Sequence, residues 1–279
     1  NSLYGDDEMA TDNATTRNSS NRYLIGEWKT PASGGEWNFN NIYTLNYFIQ
    51  STEKNLETGS IKGNSTNIKH YIGEGYFLRA YQYFYRLRKL GDFPIIKEVL
   101  PDNKEALVEA SKRQPRNEVA RFILQDLDKA IEYLTNNPDG GKARITKNAA
   151  LVLKARVALF EATWEKYHAG TALVPNGKGW PGAEKDYNKG YQFPSGSPEA
   201  EVNFFLDQAI NASQTVADAV ALTANNGSIQ QSAADAATSA GNALASANSA
   251  AGSATDAENA AQSAAQSAAS NRFHPYWKQ

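Results

Sequence analysis

The sequence of 279 residues predicts an all-α fold in which antiparallel helix pairs stack side by side, the pattern of an α-solenoid. Two observations predict it. Apolar residues recur at the 3.6-residue helical period in five separate segments. Residues that favour turns, chiefly glycine, proline and asparagine, stand between these segments.

The order of the elements follows from these patterns and from the residues at the helix ends. Residues 1–36 form an N-terminal loop region rich in Asn, Ser, Thr, Asp and Gly. Gly91 and Pro94 favour the end of the second helix, and Thr146 and Ser197 are suited to cap later helices at their N-termini. Residues 169–197 are expected to form a long loop. We predict helices over residues 37–57, 66–90, 115–135, 146–167 and 198–222, within a helical domain of residues 37–223.

The segment 224–270 differs from the rest because Ala and Ser dominate it and Leu244 is its one large apolar residue after Ile229. Alanine favours helix, but a segment with nothing large to bury cannot offset the entropy lost on ordering. Three interpretations remain open: a natural low-complexity linker, an engineered linker, or small residues standing in for unclear side chains. The return of aromatics in the C-terminal fragment 271–279 favours the third interpretation.

Composition excludes several classes of function. With 28 Lys and Arg against 30 Asp and Glu, the net charge is −2, so no basic face for nucleic acid is expected. The sequence has no cysteine, and its three histidines lack a metal-binding spacing. No G-x-S-x-G or Walker motif occurs. We therefore expect no metal, no cofactor and no catalysis.

Four blocks of sequence carry a resemblance to a known family. The second helix, Gly73 to Leu87, runs into Lys89-Leu90-Gly91-Asp92-Phe93-Pro94. Three further blocks agree with the family in the same order along the chain. One, at Trp37, precedes this helix, and two, at Arg116 and Arg144, follow it. Together they resemble the SusD/RagB family of nutrient-binding proteins over about residues 35–222.

The resemblance implies a tetratricopeptide-like all-α fold with irregular loops, and a non-catalytic receptor for oligosaccharides at the cell surface. It also implies a SusC-like TonB-dependent transporter as partner and an N-terminal lipid anchor in the outer membrane. The lipidated cysteine of the family is absent here, and the sequence opens with Asn1, so we expect that the natural start has been removed or was not seen. Family members are usually longer. Two alternatives stay open: a peptide receptor of the RagB branch, and a helical scaffold for protein partners.

Candidate ligand residues are sought among aromatics in polar loops, because a flat ring stacks on a sugar while Asn and Arg bind its hydroxyls. Trp28 lies in such a region, and the candidates around it are Tyr23, Arg22 and Asn18. This choice rests on the family's use of the region before the first solenoid helix. Trp180 in the long loop is a further candidate, with local packing as its alternative role.

Other conspicuous side chains are expected to be structural. Trp37, Tyr43 and Trp164 share helical spacing with apolar neighbours, so we expect them in the core. Arg79 lies on a largely apolar helix, and we expect it to pair with a carboxylate inside the stack.

Overall fold

The structure is a computed structural model that describes residue 35, residues 37–223 and residues 227–271. Five long helices match the predicted ones to within three residues at each end, which confirms the all-α prediction. In the described part of the chain the helices are α1 (Asn40–Glu57), α2 (Ser65–Leu90), α3 (Lys104–Ala110), α4 (Arg116–Tyr133), α5 (Lys147–Tyr167), α6 (Pro198–Thr223) and α7 (Gly227–Asn271). Two short strands, β1 (Phe93–Pro94) and β2 (Arg113–Gln114), form an antiparallel ladder.

Side chains cap the helices where the sequence predicted caps. The Thr146 hydroxyl accepts a hydrogen bond from the backbone N–H of Ala149, and Ser197 accepts one from Ala200. Gly91 ends α2 with a φ of 68°, a conformation that a side chain would strain. These contacts pair backbone groups that the helix ends leave free.

Contacts between side chains show that neighbouring helices run antiparallel. A Cβ added at Gly73, early in α2, would meet Leu134 at the end of α4, whereas one added at Gly91, at the end of α2, would meet Arg116 at the start of α4. The same reversal relates α4 to α5, because Arg116 binds Glu161 and Asp128 binds Lys154. The result is a stack in the order α1, α2, α4, α5, α6.

The core lies between these helices and is rich in aromatic rings. Tyr83 of α2 is fully buried and meets Phe122 of α4 edge to face, with ring centroids 4.8 Å apart. Its hydroxyl donates to the carbonyl of Ile96 at 3.1 Å, so the ring also fixes the segment that follows β1. The same core includes Leu87, Phe93, Val119, Ile123, Leu127, Val157 and Phe205.

The expectation that Trp37 and Tyr43 lie in the core is wrong. Trp37 is 46% exposed, although it stacks on Phe93 at 5.2 Å, and Tyr43 is 55% exposed. Both lie on or before α1, whose main helix neighbour in the described part of the chain is α2. Trp164 is half-buried, with the Arg116 guanidinium 4.3 Å from the centre of its ring system. Helical spacing could not distinguish a face that has a neighbour from one that has none.

Two helices were not predicted. α3 is seven residues long and buries no side chain, so it has no apolar periodicity to detect. α7 covers the Ala/Ser-rich segment that we expected to be unable to order, and its described side chains at positions 236–263 are almost all exposed. Its helical form agrees with the high helix propensity of alanine. A contact from the Tyr167 hydroxyl to the Ala247 carbonyl, at 3.3 Å, links it to α5.

Arg79 confirms the expected buried ion pair. Its Nε and Nη2 donate to the two carboxylate oxygens of Asp126 in α4 at 2.7 and 2.8 Å. Its Nη1 donates to Asn46 of α1 at 2.8 Å and to the Lys97 carbonyl at 2.9 Å. Burial would lower the pKa of Arg79, but its hydrogen bonds to Asp126 and the charge of that carboxylate raise it. One guanidinium therefore connects three helices and a loop.

Candidate functional site

Four of the five predicted ligand residues, Asn18, Arg22, Tyr23 and Trp28, lie outside the described residues. Their role therefore stays a prediction. The fifth, Trp180, is described.

Trp180 is 3% exposed and anchors the long loop to the end of α2. Its indole N–H donates to one carboxylate oxygen of Asp92 at 2.8 Å. The other oxygen of Asp92 accepts the backbone N–H of Arg116 at 2.9 Å. The ring presents almost no surface to solvent. This is the local packing role that the sequence analysis set beside the ligand role.

A second buried group of charges joins α4 to α5 and α6. Arg116 donates to both oxygens of Glu161 at 2.7 Å each. Arg121 donates to both oxygens of Glu201 at 2.6 and 2.8 Å. Burial raises the pKa of Glu201, but hydrogen bonds from Arg121, Asn117 and Ser195 outweigh it and lower that pKa. These carboxylates are fully engaged in holding helices together.

Glu165 is the exception in this group, because neither of its buried carboxylate oxygens has a hydrogen-bond donor. The residue is 5% exposed. Burial, followed by the charges of Glu161 and Glu201, raises its pKa to about 9, against the opposing effect of Arg116. The raised pKa favours the neutral form of this carboxyl group near neutral pH. Its enclosure keeps it from contact with a substrate, so we assign it to the structure of the stack.

A groove lies between α1 and α2 in the described part of the surface, with a volume of about 530 Å³. We call it the α1–α2 groove. Its size is in the usual range of small-molecule sites, roughly 300 to 1,000 Å³. Its lining combines apolar side chains, one tyrosine and an ion pair, and consists of Thr44, Leu45, Phe48, Tyr71, Glu74, Gly75, Leu78 and Arg144.

The groove exists because Gly75 has no side chain. A methyl group at this position would lie 2.8 Å from two ring atoms of Phe48, closer than atoms can approach. The phenylalanine ring can therefore sink against the backbone of α2 and leave a depression above it. The sequence does not reveal this site because Tyr71 shares the helical period of the core residues, yet it is 41% exposed.

One end of the groove is held by an ion pair. Glu74 binds the Arg144 guanidinium through one oxygen and accepts the backbone N–H of Ile145 at 3.1 Å through the other. The guanidinium lies 4.5 Å from the ring centre of Tyr71. Charges of opposite sign thus neutralise each other at the rim, where they can still exchange hydrogen bonds with a ligand.

Two further features bear on function. No group of three or more His, Asp or Glu side chains in the described ranges is arranged to hold a metal ion. Across the same ranges, none of the helices is both long and apolar enough to span a lipid bilayer.

The stacked antiparallel helix pairs define a helical-repeat protein of the tetratricopeptide-like type. The sequence profile of the SusD-like family, described as starch-binding and associating with the outer membrane, matches residues 3–159, more than half of the 279 residues. The chain belongs to this family.

The chain is also similar to individual proteins. SusD-like protein P2 of Formosa agariphila is 30% identical over 118 residues, which are 42% of this chain and 23% of that protein. A SusD-like protein of Bacteroides fragilis is 30% identical, with a TM-score of 0.36, over 45% of this chain and 24% of its own. Surface glycan-binding protein A of Bacteroides fluxus is 26% identical, with a TM-score of 0.36, over 47% and 26% of the two chains. The chain thus spans about a quarter of the length of these relatives.

We expect Glu165→Gln to flatten the dependence of stability on pH. A carboxyl whose pKa is raised by folding stabilises the protein below its unfolded pKa, and this stabilisation is lost as pH rises towards the folded value of about 9. The loss has a limiting slope of about 1.4 kcal/mol per pH unit. Gln mimics the neutral acid, so urea unfolding of the variant should fall less than that of the wild type between about pH 6 and 9. Parallel curves for the two proteins would show that Glu165 is ionised in the fold.

Proposed function

We propose that this protein is a non-catalytic glycan-binding protein of the cell surface that captures oligosaccharides or polysaccharides for uptake. The observation that carries the proposal is the match of residues 3–159 to a family described as starch-binding. The described surface is compatible with this role because aromatic side chains are exposed on α1 and α2, among them Tyr43, Tyr71 and Tyr81. Exposed rings of this kind can stack on the apolar face of a sugar.

The proposal includes a location and a partner. Association with the outer membrane is part of the family's description, and we extend it to a lipid anchor that faces the cell exterior. The partner would be a SusC-like TonB-dependent transporter, as the sequence resemblance implies. Within the protein, the proposed binding platform is the region of Trp28 and Tyr23, with Arg22 and Asn18 as hydrogen-bonding groups.

A panel of polysaccharides tests the proposed class of function. Native gels that contain soluble starch, laminarin, xyloglucan or polygalacturonate should retard the wild-type protein in at least one case. The same incubation should release no reducing ends above those from a heat-inactivated sample, because we propose binding without hydrolysis. Retardation in none of the gels, together with binding to immobilised peptides, would instead favour the peptide receptor of the RagB branch.

We expect Trp28→Ala to weaken glycan binding by roughly tenfold to a hundredfold and to leave the melting temperature unchanged. The estimate is the loss of one large apolar contact, about 1–3 kcal/mol. Trp180→Ala is the matched control, because it removes a buried indole and its hydrogen bond to Asp92 and should lower the melting temperature. Calorimetric titration and thermal unfolding of both variants give the comparison. A Trp28→Ala protein with normal affinity and a lower melting temperature would make Trp28 a core residue.

A further inference from the structure

The α1–α2 groove is short along the helix axes. The residues that line it lie between positions 44 and 48 of α1 and between 71 and 78 of α2. At 1.5 Å per residue the longer of these spans is roughly 10 Å. One helical turn beyond, the Asn41 amide of α1 donates to Gln82 of α2 at 3.4 Å and crosses from one helix to the other. Arg144 stands over Tyr71 at the opposite end.

These limits favour a small ligand over a helix from another protein. A helix docked between two others usually contacts them over several turns, as in grooves that read residues i, i+3, i+4 and i+7. Here the floor covers about two turns, and side chains stand at both ends. A ligand of one or two rings matches these dimensions better.

The chemistry of the lining indicates which ligand. The floor is apolar, because Leu45, Phe48 and Leu78 supply it, and Leu78 is 43% exposed. The rim is polar. The Thr44 hydroxyl donates to the Asn40 carbonyl at 3.0 Å and keeps its oxygen as an acceptor for a ligand. Glu74 adds carboxylate oxygens, and Arg144 adds N–H donors.

The charge at the rim is balanced. Arg144 is paired with Glu74, and Glu74 also accepts the Ile145 N–H, so neither charge is free to attract an ion of opposite sign. A neutral ligand with one apolar face and several hydroxyl groups fits this combination. Pyranose rings have both properties, since one face exposes C–H groups and the edge carries hydroxyls.

We propose that the α1–α2 groove is a second carbohydrate site, in addition to the one proposed for Trp28, and that it takes one or two rings of a neutral glycan. This inference rests on the proposed glycan-binding function and adds a location and a class of ligand. The sugar face lies on Phe48 and Leu78. Its hydroxyls exchange hydrogen bonds with Glu74, Arg144 and Thr44.

The test compares groove variants with a tyrosine variant outside the groove. The double variant Tyr71→Ala, Leu78→Ala removes two exposed side chains of the lining and should preserve the fold. Thr44→Trp fills the groove from an exposed position and serves as an independent variant. Tyr47→Ala is the matched control, because Tyr47 is 59% exposed on α1 but does not line the groove. Binding is measured by calorimetry with the polysaccharide that retards the wild type, and folding by thermal unfolding.

We expect both groove variants to bind the polysaccharide about tenfold or more weakly, because a chain that engages both proposed sites loses the apolar contact of one of them, while Tyr47→Ala binds like the wild type. Raising NaCl from about 0.05 to 0.5 M should leave wild-type affinity unchanged, because the proposed ligand is neutral and the ion pair at the rim carries no net charge. Wild-type affinity in both groove variants would overturn the second site and leave the proposed function standing. Failure of the wild type to bind any glycan in the panel would overturn both proposals. Retention on polygalacturonate alone would contradict a neutral ligand.

Discussion

The buried pair of Arg79 and Asp126 is the interaction on which the arrangement of the first three long helices depends. Its two parallel hydrogen bonds join α2 to α4, and the third guanidinium nitrogen reaches Asn46 of α1 and the Lys97 carbonyl. Asn46 in turn donates to the carbonyls of Ile96 and Glu98. A charge placed this deep must be fully paired, and only one relative position of the helices pairs it. The register of the stack follows from that requirement.

Buried ion pairs of the same kind join the helices further along the chain. Arg116 joins α4 to α5 through Glu161, and Arg121 joins α4 to α6 through Glu201. Each is a two-pronged contact between an arginine and a carboxylate, the geometry that suits a planar guanidinium best. The interior polar groups are thus largely committed to structure. Ligands are left to loops and to surface depressions such as the α1–α2 groove, where Gly75 makes room between two helices.

The sequence could predict the long helices, because the spacing of apolar residues and the capping residues are local properties. It could also predict that Arg79 pairs with a carboxylate, because a buried charge without a partner is costly wherever it lies. It could not identify Asp126 as the partner, since the two residues are 47 positions apart and meet only through packing. Nor could it separate the exposed Tyr43 and Tyr71 from core tyrosines, because burial depends on which helix lies opposite. The groove could not be predicted either, because it results from the absence of a side chain at Gly75 opposite the ring of Phe48. The Trp28 region stays a prediction from family resemblance.

Equilibrium unfolding in urea, with Arg79→Ala compared with Asp128→Ala, tests most directly whether the buried pair holds the stack. Asp128 is the matched control because it also pairs across helices, with Lys154, but its side chain is 57% exposed. We predict that Arg79→Ala lowers the free energy of unfolding by about 3–5 kcal/mol, since it leaves the buried Asp126 carboxyl group without its partner. Asp128→Ala should cost about 0–1 kcal/mol, as exposed pairs do. Equal and small losses for the two variants would contradict the account.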